Sequence, residues 1–252
     1  KVGISSEEFY AEIARGGAPP KTSQPPPGDF RRQFEFLGSH HSAVVSINLT
    51  SRVSGTCAAA QTAAARTATH GTISVVDSGN ISAGQGLIAM YAAECALAGY
   101  DADRIIEATR SILPRTNSYG VAGSLEYAVR GGRLPRWMKR VADALRVMPV
   151  LHNDRQGKVS AGGVLFGRED LKAKFARWVR RRIRDAVTYR MIVGVARSHP
   201  GTLAQWKALG AYDVTDYNHT HIDIAESPHV CRDSSGGGPW RIFLTNGTYG
   251  NR

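Results

Sequence analysis

The stretch Val44-Val-Ser-Ile-Asn-Leu-Thr-Ser-Arg-Val-Ser-Gly-Thr56 decides the fold. A short apolar run, too short for a helix, breaks into hydroxyl residues and a single glycine. An alanine-rich segment begins immediately after it. That order reads as a buried strand, a tight polar turn and a helix start. The turn would present Thr50, Ser51, Ser54 and Thr56 beside the free N–H groups of the new helix. A helix N-terminus of this kind suits an anionic oxygen ligand.

The same grammar repeats downstream. Ile73-Ser-Val-Val-Asp77-Ser78 is a second buried-type strand. It ends in Ser78-Gly79-Asn80-Ile81-Ser82, and a long apolar helix follows from about Ala83 to Ala98, closed by Gly99. Strand, helix, strand, helix implies a parallel sheet with right-handed crossovers. Ligands of such sheets gather at the C-terminal strand ends, where both hydroxyl-rich turns fall. Gly84-Gln85-Gly86 lacks the third glycine and the acidic residue of a dinucleotide fingerprint, and no phosphate-loop sequence with its lysine occurs. These two nucleotide-binding motifs are therefore excluded.

Upstream, Ser5 to Arg15 reads as a short helix with acidic residues in its first turn. Ala18 to Gly28 is proline-rich and must be extended. Within it, Thr22-Ser23-Gln24-Pro25 reads equally as a linker with a helix cap or as a rigid loop whose hydroxyls reach a ligand. A helix then runs from Gly28-Asp29 to about Leu37, and another spans Asp101 to Ser111. After Pro114 the composition shifts. Arg130-Gly131-Gly132-Arg133 reads as a basic turn. Val147 to Leu151 and Val159 to Phe166 form a hairpin about the turn Asn153 to Lys158, the second strand loosened by Gly162-Gly163. Glu169 to Val187 is an amphipathic helix with Leu171, Phe175, Trp178, Val179, Ile183 and Ala186 on its buried stripe. A strand at Met191 to Ala196 and a helix at Leu203 to Leu209 follow. The expected architecture is α/β in two lobes. Residues 1–114 form a parallel-sheet βαβ lobe, and residues 115–252 form an α+β lobe with antiparallel pairing and an atypical tail from about Asp213.

The length of 252 residues and a hydrophobic content of 42% suit one large or two modest globular units. No stretch approaches a membrane span, and the opening Lys1-Val-Gly-Ile-Ser5 is not a signal leader, so a cytoplasmic location is expected. Cys57, Cys95 and Cys231 match no zinc spacing and make an odd count, which fits a reducing compartment. His219, His221 and His229 have no carboxylate or thiol at ligand spacing, so no metal is expected. The net charge of +11 is uneven. Residues 1–111 hold 9 basic and 10 acidic side chains, whereas residues 130–184 hold 16 basic and 4 acidic ones. Such a region can meet nucleic acid, a phosphorylated ligand or an acidic protein.

Several ordered segments resemble one family. Thr22-Ser23-Gln24-Pro25 with Gly28-Asp29-Phe30 is similar to its Thr-Ser-Gln-Pro-x-x-Gly-Asp/Glu-Phe segment. Leu49 to Thr56 is similar to Leu-Ser-Ser-x-Leu-Ser-Gly-Thr. Asp77-Ser78 with Ser82-x-Gly84-x-Gly86, Leu125-Glu126-Tyr127 before Arg130-Gly131-Gly132-Arg133, Pro149-Val150-Leu151, Gly157, and Arg168 before Lys172-Ala173 continue the match over roughly residues 3–200. The chain thus resembles the DegV family, the fatty-acid-binding subunits of bacterial fatty acid kinase. The resemblance implies a non-enzymatic lipid-binding subunit with one long-chain fatty acid held between two lobes. It implies that Thr22 and Ser54 bind the carboxylate, with Ser23, Gly55 and Thr56 beside them. Arg133 and Arg168 would face the phosphoryl site or the docking face of a separate ATP-dependent kinase subunit. No cofactor beyond the bound lipid, no metal and no nucleic acid are implied. Two departures stand out: the family's opening strand with its Asp-Ser pair is not seen here, and its closing Gly-x-His-x-Gly-Pro-Gly segment is not recognised.

The residues support the lipid reading independently, because a buried carboxylate needs donors around it. The alanine-rich helices at 56–69 and 83–98 are candidate tunnel walls, or simply core. Two competing readings are a nucleic-acid-binding protein using residues 130–184, and a serine hydrolase using Ser54 or Ser78. The first has few aromatics for base stacking: Trp137, Phe166, Phe175 and Trp178. The second lacks a nucleophile elbow.

Overall fold

The computed structural model describes residues 6–16, 21–122, 124–167, 169–183, 189–194, 212–213 and 220–226. In the N-terminal half, α1 (Ser6–Ala14) and α2 (Pro27–His40) precede β1 (Ala43–Asn48). Then come α3 (Thr56–Ala64), β2 (Thr72–Asp77), α4 (Ser82–Leu97) and α5 (Ala102–Ile112). β1 and β2 pair in parallel, from Ala43 opposite Thr72 to Asn48 opposite Asp77. The strand–turn–helix repeat read from the sequence is therefore present.

The faces of β1 explain its apolar run. Val44 packs with Phe30 and Phe34 of α2 and with Ala59, Ala60 and Ala63 of α3. Val45 and Ile47 point the other way, toward Ala92 and Cys95 of α4 and Ile105 of α5. A strand covered on both faces has no polar side to alternate with. Helix α3 stops at Ala64, short of the expected Thr69, and its buried alanines fill the core against α2.

The C-terminal half holds β3 (Thr116–Val121), α6 (Glu126–Arg130), α7 (Arg136–Ala144), β4 (Val147–Asn153), β5 (Val159–Phe166), α8 (Leu171–Ile183), β6 (Tyr189–Gly194), β7 (Tyr212–Asp213) and β8 (Thr220–Glu226). Their sheet runs β5-β4-β3-β8-β6-β7, antiparallel except for the β6–β7 pair. The expected hairpin is β4–β5. Three strands are not read from the sequence: β3, the two-residue β7, and β8 in the atypical tail. β8 sits in the interior of the sheet, between β3 and β6. The expected strand at Met191–Ala196 is β6, displaced toward the N-terminus; the helix expected at Leu203–Leu209 lies outside the described residues.

Helix α8 covers one face of this sheet. Phe175 and Val179 are fully buried among Tyr119, Val121, Met148, Val150 and Leu165. Gly163 makes room for α8, since a Cβ there would lie 2.6 Å from the Trp178 indole nitrogen. The glycine pair that reads as a loosened strand makes room for two rings: Gly163 for Trp178, and Gly162 for His152 of β4, 3.0 Å from where its Cβ would lie. On the opposite face lies α4, which packs on β3, β6 and β8 as well as on β1 and α5. Within α4 every residue except Leu97 is buried or half-buried. The order of layers is α2 and α3, the parallel pair, α4 with α5, the antiparallel sheet, and α8.

Candidate functional site

The turn after β1 is built by its own hydroxyls and by its neighbour. Asp77 at the end of β2 accepts from Ser51 N–H at 3.1 Å and from Gly79 N–H at 2.9 Å, so one carboxylate ties both strand-end turns together. Thr50 closes the first turn: its carbonyl accepts Val53 N–H at 3.3 Å, and its hydroxyl accepts Arg52 N–H at 3.3 Å. Ser54 follows, with its Oγ 2.8 Å from Thr56 Oγ1 and accepting Thr56 N–H at 3.3 Å. Helix α3 starts at Gly55 with no side-chain cap and no acidic residue in its first turn, which leaves its N–H groups facing the turn region.

Against this turn lies a cavity of about 580 Å³. Thr22, Ser23, Gln24 and Pro26 line it from the proline-rich segment, Val53, Ser54 and Gly55 from the turn, and Arg133 from beyond α6. Four of the five residues singled out for ligand binding, Thr22, Ser23, Ser54 and Gly55, therefore meet at one place. They are joined there by Arg133 from the other half of the chain. The fifth, Thr56, is buried behind Ser54 and does not line the cavity. Arg168 lies outside the described residues. The sequence reading passed over Gln24, whose Oε1 sits where a Cβ on Gly55 would fall, 2.4 Å away. Its position inside Thr22-Ser23-Gln24-Pro25 was the available signal. The lining carries one cation and no carboxylate, so its polarity favours an anionic group.

Arg133 is followed by buried Leu134, which belongs to an apolar cluster with Leu125, Ala142 and Val147. A second cleft, about 940 Å³, opens on the same cluster, with Leu125, Ala142, Val147 and Met148 in its lining. Glu126, Lys139 and Asp143 at its rim form a chain of ion pairs. The hydrogen bond from Arg130 holds the Glu126 carboxyl below its ordinary range, and the Asp143 carboxylate raises Lys139.

Other candidates fall away on geometry. Ser78 is fully buried and donates to the Asn80 carbonyl at 3.1 Å, so it is no nucleophile. Cys57 is buried at the start of α3, and burial, then the Asp77 charge, pushes its thiol up. Phe175 is buried and Trp178 stands edge-on to Tyr119 at 5.1 Å, so neither is free to stack on a base. Among the described residues no three His, Cys, Asp or Glu side chains group as metal ligands. His221 lies on β8 opposite Gly120, while His219 and His229 lie outside the described residues. No helix among the described residues is long and apolar enough to cross a membrane.

A mixed α/β fold with a polar, acid-free cavity beside the turn after β1 has the architecture in which α/β proteins hold ligands at strand ends. The comparisons make that class specific. The family described as "Uncharacterised protein, DegV family" matches residues 1–243, and the chain belongs to it. The match runs through the tail, well past residue 200 where the motifs read from the sequence stop. A DegV domain-containing protein of Caldanaerobacter subterraneus is 35% identical over 153 residues, which is 61% of this chain and 54% of that protein. The chain thus spans about half the length of that relative. Among solved structures, the fold is similar to a fatty-acid-binding DegV family protein from Thermus thermophilus. Its TM-score is 0.74 at 22% identity, covering 89% of this chain and 85% of that one. It is also similar to DegV, a fatty acid binding protein from Bacillus subtilis, with TM-score 0.72 at 24% identity and coverage of 87% and 82%.

Proposed function

We propose that this protein binds a long-chain fatty acid with its carboxylate in the cavity between Thr22, Ser23, Ser54, Gly55 and Arg133. It would present that carboxylate to a separate ATP-dependent kinase subunit, which forms the acyl phosphate. Residues 1–114 and 115–252 act as the two lobes that close on the lipid. The observation that carries the reading is the convergence of the two hydroxyl segments with Arg133 at one acid-free cavity. The fatty-acid-binding structures of the same fold support it.

The chemistry is consistent at each group. A serine hydroxyl has one donor and two acceptor sites. Ser54 Oγ already accepts from Thr56 N–H and, with the Thr56 hydroxyl as donor, from Thr56 Oγ1. Its own proton is then free for a carboxylate oxygen. Thr22 faces the same cavity from the proline-rich loop. The proline-rich segment keeps that loop extended, so little ordering is lost on binding. Arg133 adds the one full positive charge and lies at the edge of the site, where a phosphoryl group would approach. The apolar cluster behind Leu134 gives the acyl tail surroundings that match it, and the larger cleft on that cluster is the place for its far end. Arg168 is the second cation assigned to the phosphoryl or partner side. No active site of its own is required, and a cytoplasmic location fits a kinase partner that uses ATP.

Native mass spectrometry of the protein purified from cells should show one acyl chain per protein. A protein that is empty and also takes up neither palmitate nor oleate would overturn the reading. A second measurement probes the cavity wall. Gly55 has φ −75°, which alanine accepts, and Ala at a helix cap costs only about 1 kcal/mol or less relative to Gly. Gly55→Ala should therefore fold normally, yet it must push the Gln24 side chain out of its place. A several-fold loss of oleate affinity in a calorimetric titration is the expected result.

A further inference from the structure

The cavity takes Ser54 from one half of the chain and Arg133 from the other, so something must fix the distance between the halves. We infer that Asn80 is the positioning residue that does so, an assignment that rests on the carboxylate site proposed above.

Asn80 is 3% exposed and uses every polar group it has. Its carbonyl accepts Thr50 N–H at 2.8 Å, and Thr50 in turn closes the turn that carries Val53 and Ser54. Its side-chain Oδ1 accepts the Ser118 hydroxyl at 2.9 Å, and its Nδ2 donates to the Thr116 carbonyl at 3.3 Å. Both of those partners are on β3, in the antiparallel sheet. Nδ2 also donates to the Ser78 carbonyl at 3.3 Å, and the Asn80 N–H donates to Ser78 Oγ at 3.1 Å. One residue therefore grips the Ser54 turn with its main chain and the other sheet with its amide. The amide cannot turn over, because Nδ2 faces two carbonyls and Oδ1 faces a donor. Buried networks of this kind are rigid when every member is satisfied and costly when one is not.

The orientation dictates the test. Asn80→Asp keeps the shape but sets a carboxylate oxygen against the Ser78 and Thr116 carbonyls. The two halves should then lose their register while each retains its own core. The probes are cis-parinaric acid and its methyl ester, measured by fluorescence on the full chain, with circular dichroism to confirm folding. The ester keeps the tail but carries no charge. Asn80→Asp is expected to lower affinity for the acid at least tenfold and to erase most of the preference for acid over ester. Ser118→Ala, which removes only the donor to Oδ1, should shift the same preference by a few-fold, and it carries the test if the aspartate variant does not fold. Unchanged acid affinity in the folded variants, or equal losses for acid and ester, would overturn the assignment. If the native protein itself shows no preference for the acid, the carboxylate site fails, and the assignment of Asn80 falls with it.

Discussion

Replacing Ser54 with alanine is expected to lower oleate affinity by roughly tenfold to a hundredfold, the range for losing a hydrogen bond to a charged group. The side chain lines the cavity, and its Oγ is held by Thr56 from both the backbone N–H and the hydroxyl side. The fold should be untouched. Ser54 is outside every apolar cluster, so its truncation empties no part of the core. Thr22→Ala should act in the same direction from the opposite wall. If both hydroxyls bind one carboxylate, the double variant should lose less than the sum of the two single losses. Titration calorimetry on the four proteins measures this coupling. Native-like affinity in both folded single variants would remove the clamp from the site.

Phe175→Ala should destabilise the protein by about 3–5 kcal/mol, the cost of emptying a large buried site. That is a sizeable part of the roughly 5–15 kcal/mol that holds a typical domain folded. Phe175 is fully buried at the centre of the cluster between α8 and the antiparallel sheet, with the Trp178 ring 6.4 Å away. The surroundings cannot collapse easily into the space, because Gly163 already brings the strand as close to Trp178 as an indole allows. Arg177, two residues on, is exposed and serves as the control, with an expected change within about 0.5 kcal/mol. Urea unfolding of the two variants decides the matter. A Phe175→Ala midpoint equal to that of Arg177→Ala would mean that α8 does not anchor the sheet.

How legible the chain was depended on where each element finds its partners. β1, β2 and the stripe of α8 announce themselves because apolar side chains meet apolar faces at regular spacing. β3 does not: Thr116-Asn-Ser-Tyr-Gly-Val121 shows no apolar alternation. Its Tyr119 and Val121 face α8, but Ser118 faces Asn80, a hydroxyl buried against a partner 38 residues away. No local window reveals such a pairing. β8 is weakly legible: in Thr220-His-Ile-Asp-Ile-Ala-Glu226 only Ile222-Asp223-Ile224 alternates, too short a run to mark a strand by itself. At the site, the hydroxyl segments were readable as motifs. The meeting of Arg133 with Ser54 was legible only through the family resemblance, because no local pattern shows how the two halves dock. Thr56 was placed in the wall because it belongs to the motif. In the fold it stands one layer back and orients Ser54.

Helix α4 carries a consequence for how the protein comes into being. It is covered by β1 and α5 on one side and by the antiparallel sheet on the other, so it has no face suited to water. During synthesis it is made before β3, β6 and β8, and until they arrive one whole flank of it has nothing to rest against. The first half of the chain is therefore sticky on its own, and completion of the second half is what makes it safe. Folding in this architecture is a joint event, and the cavity that takes Ser54 from one half and Arg133 from the other is complete only when the halves have docked.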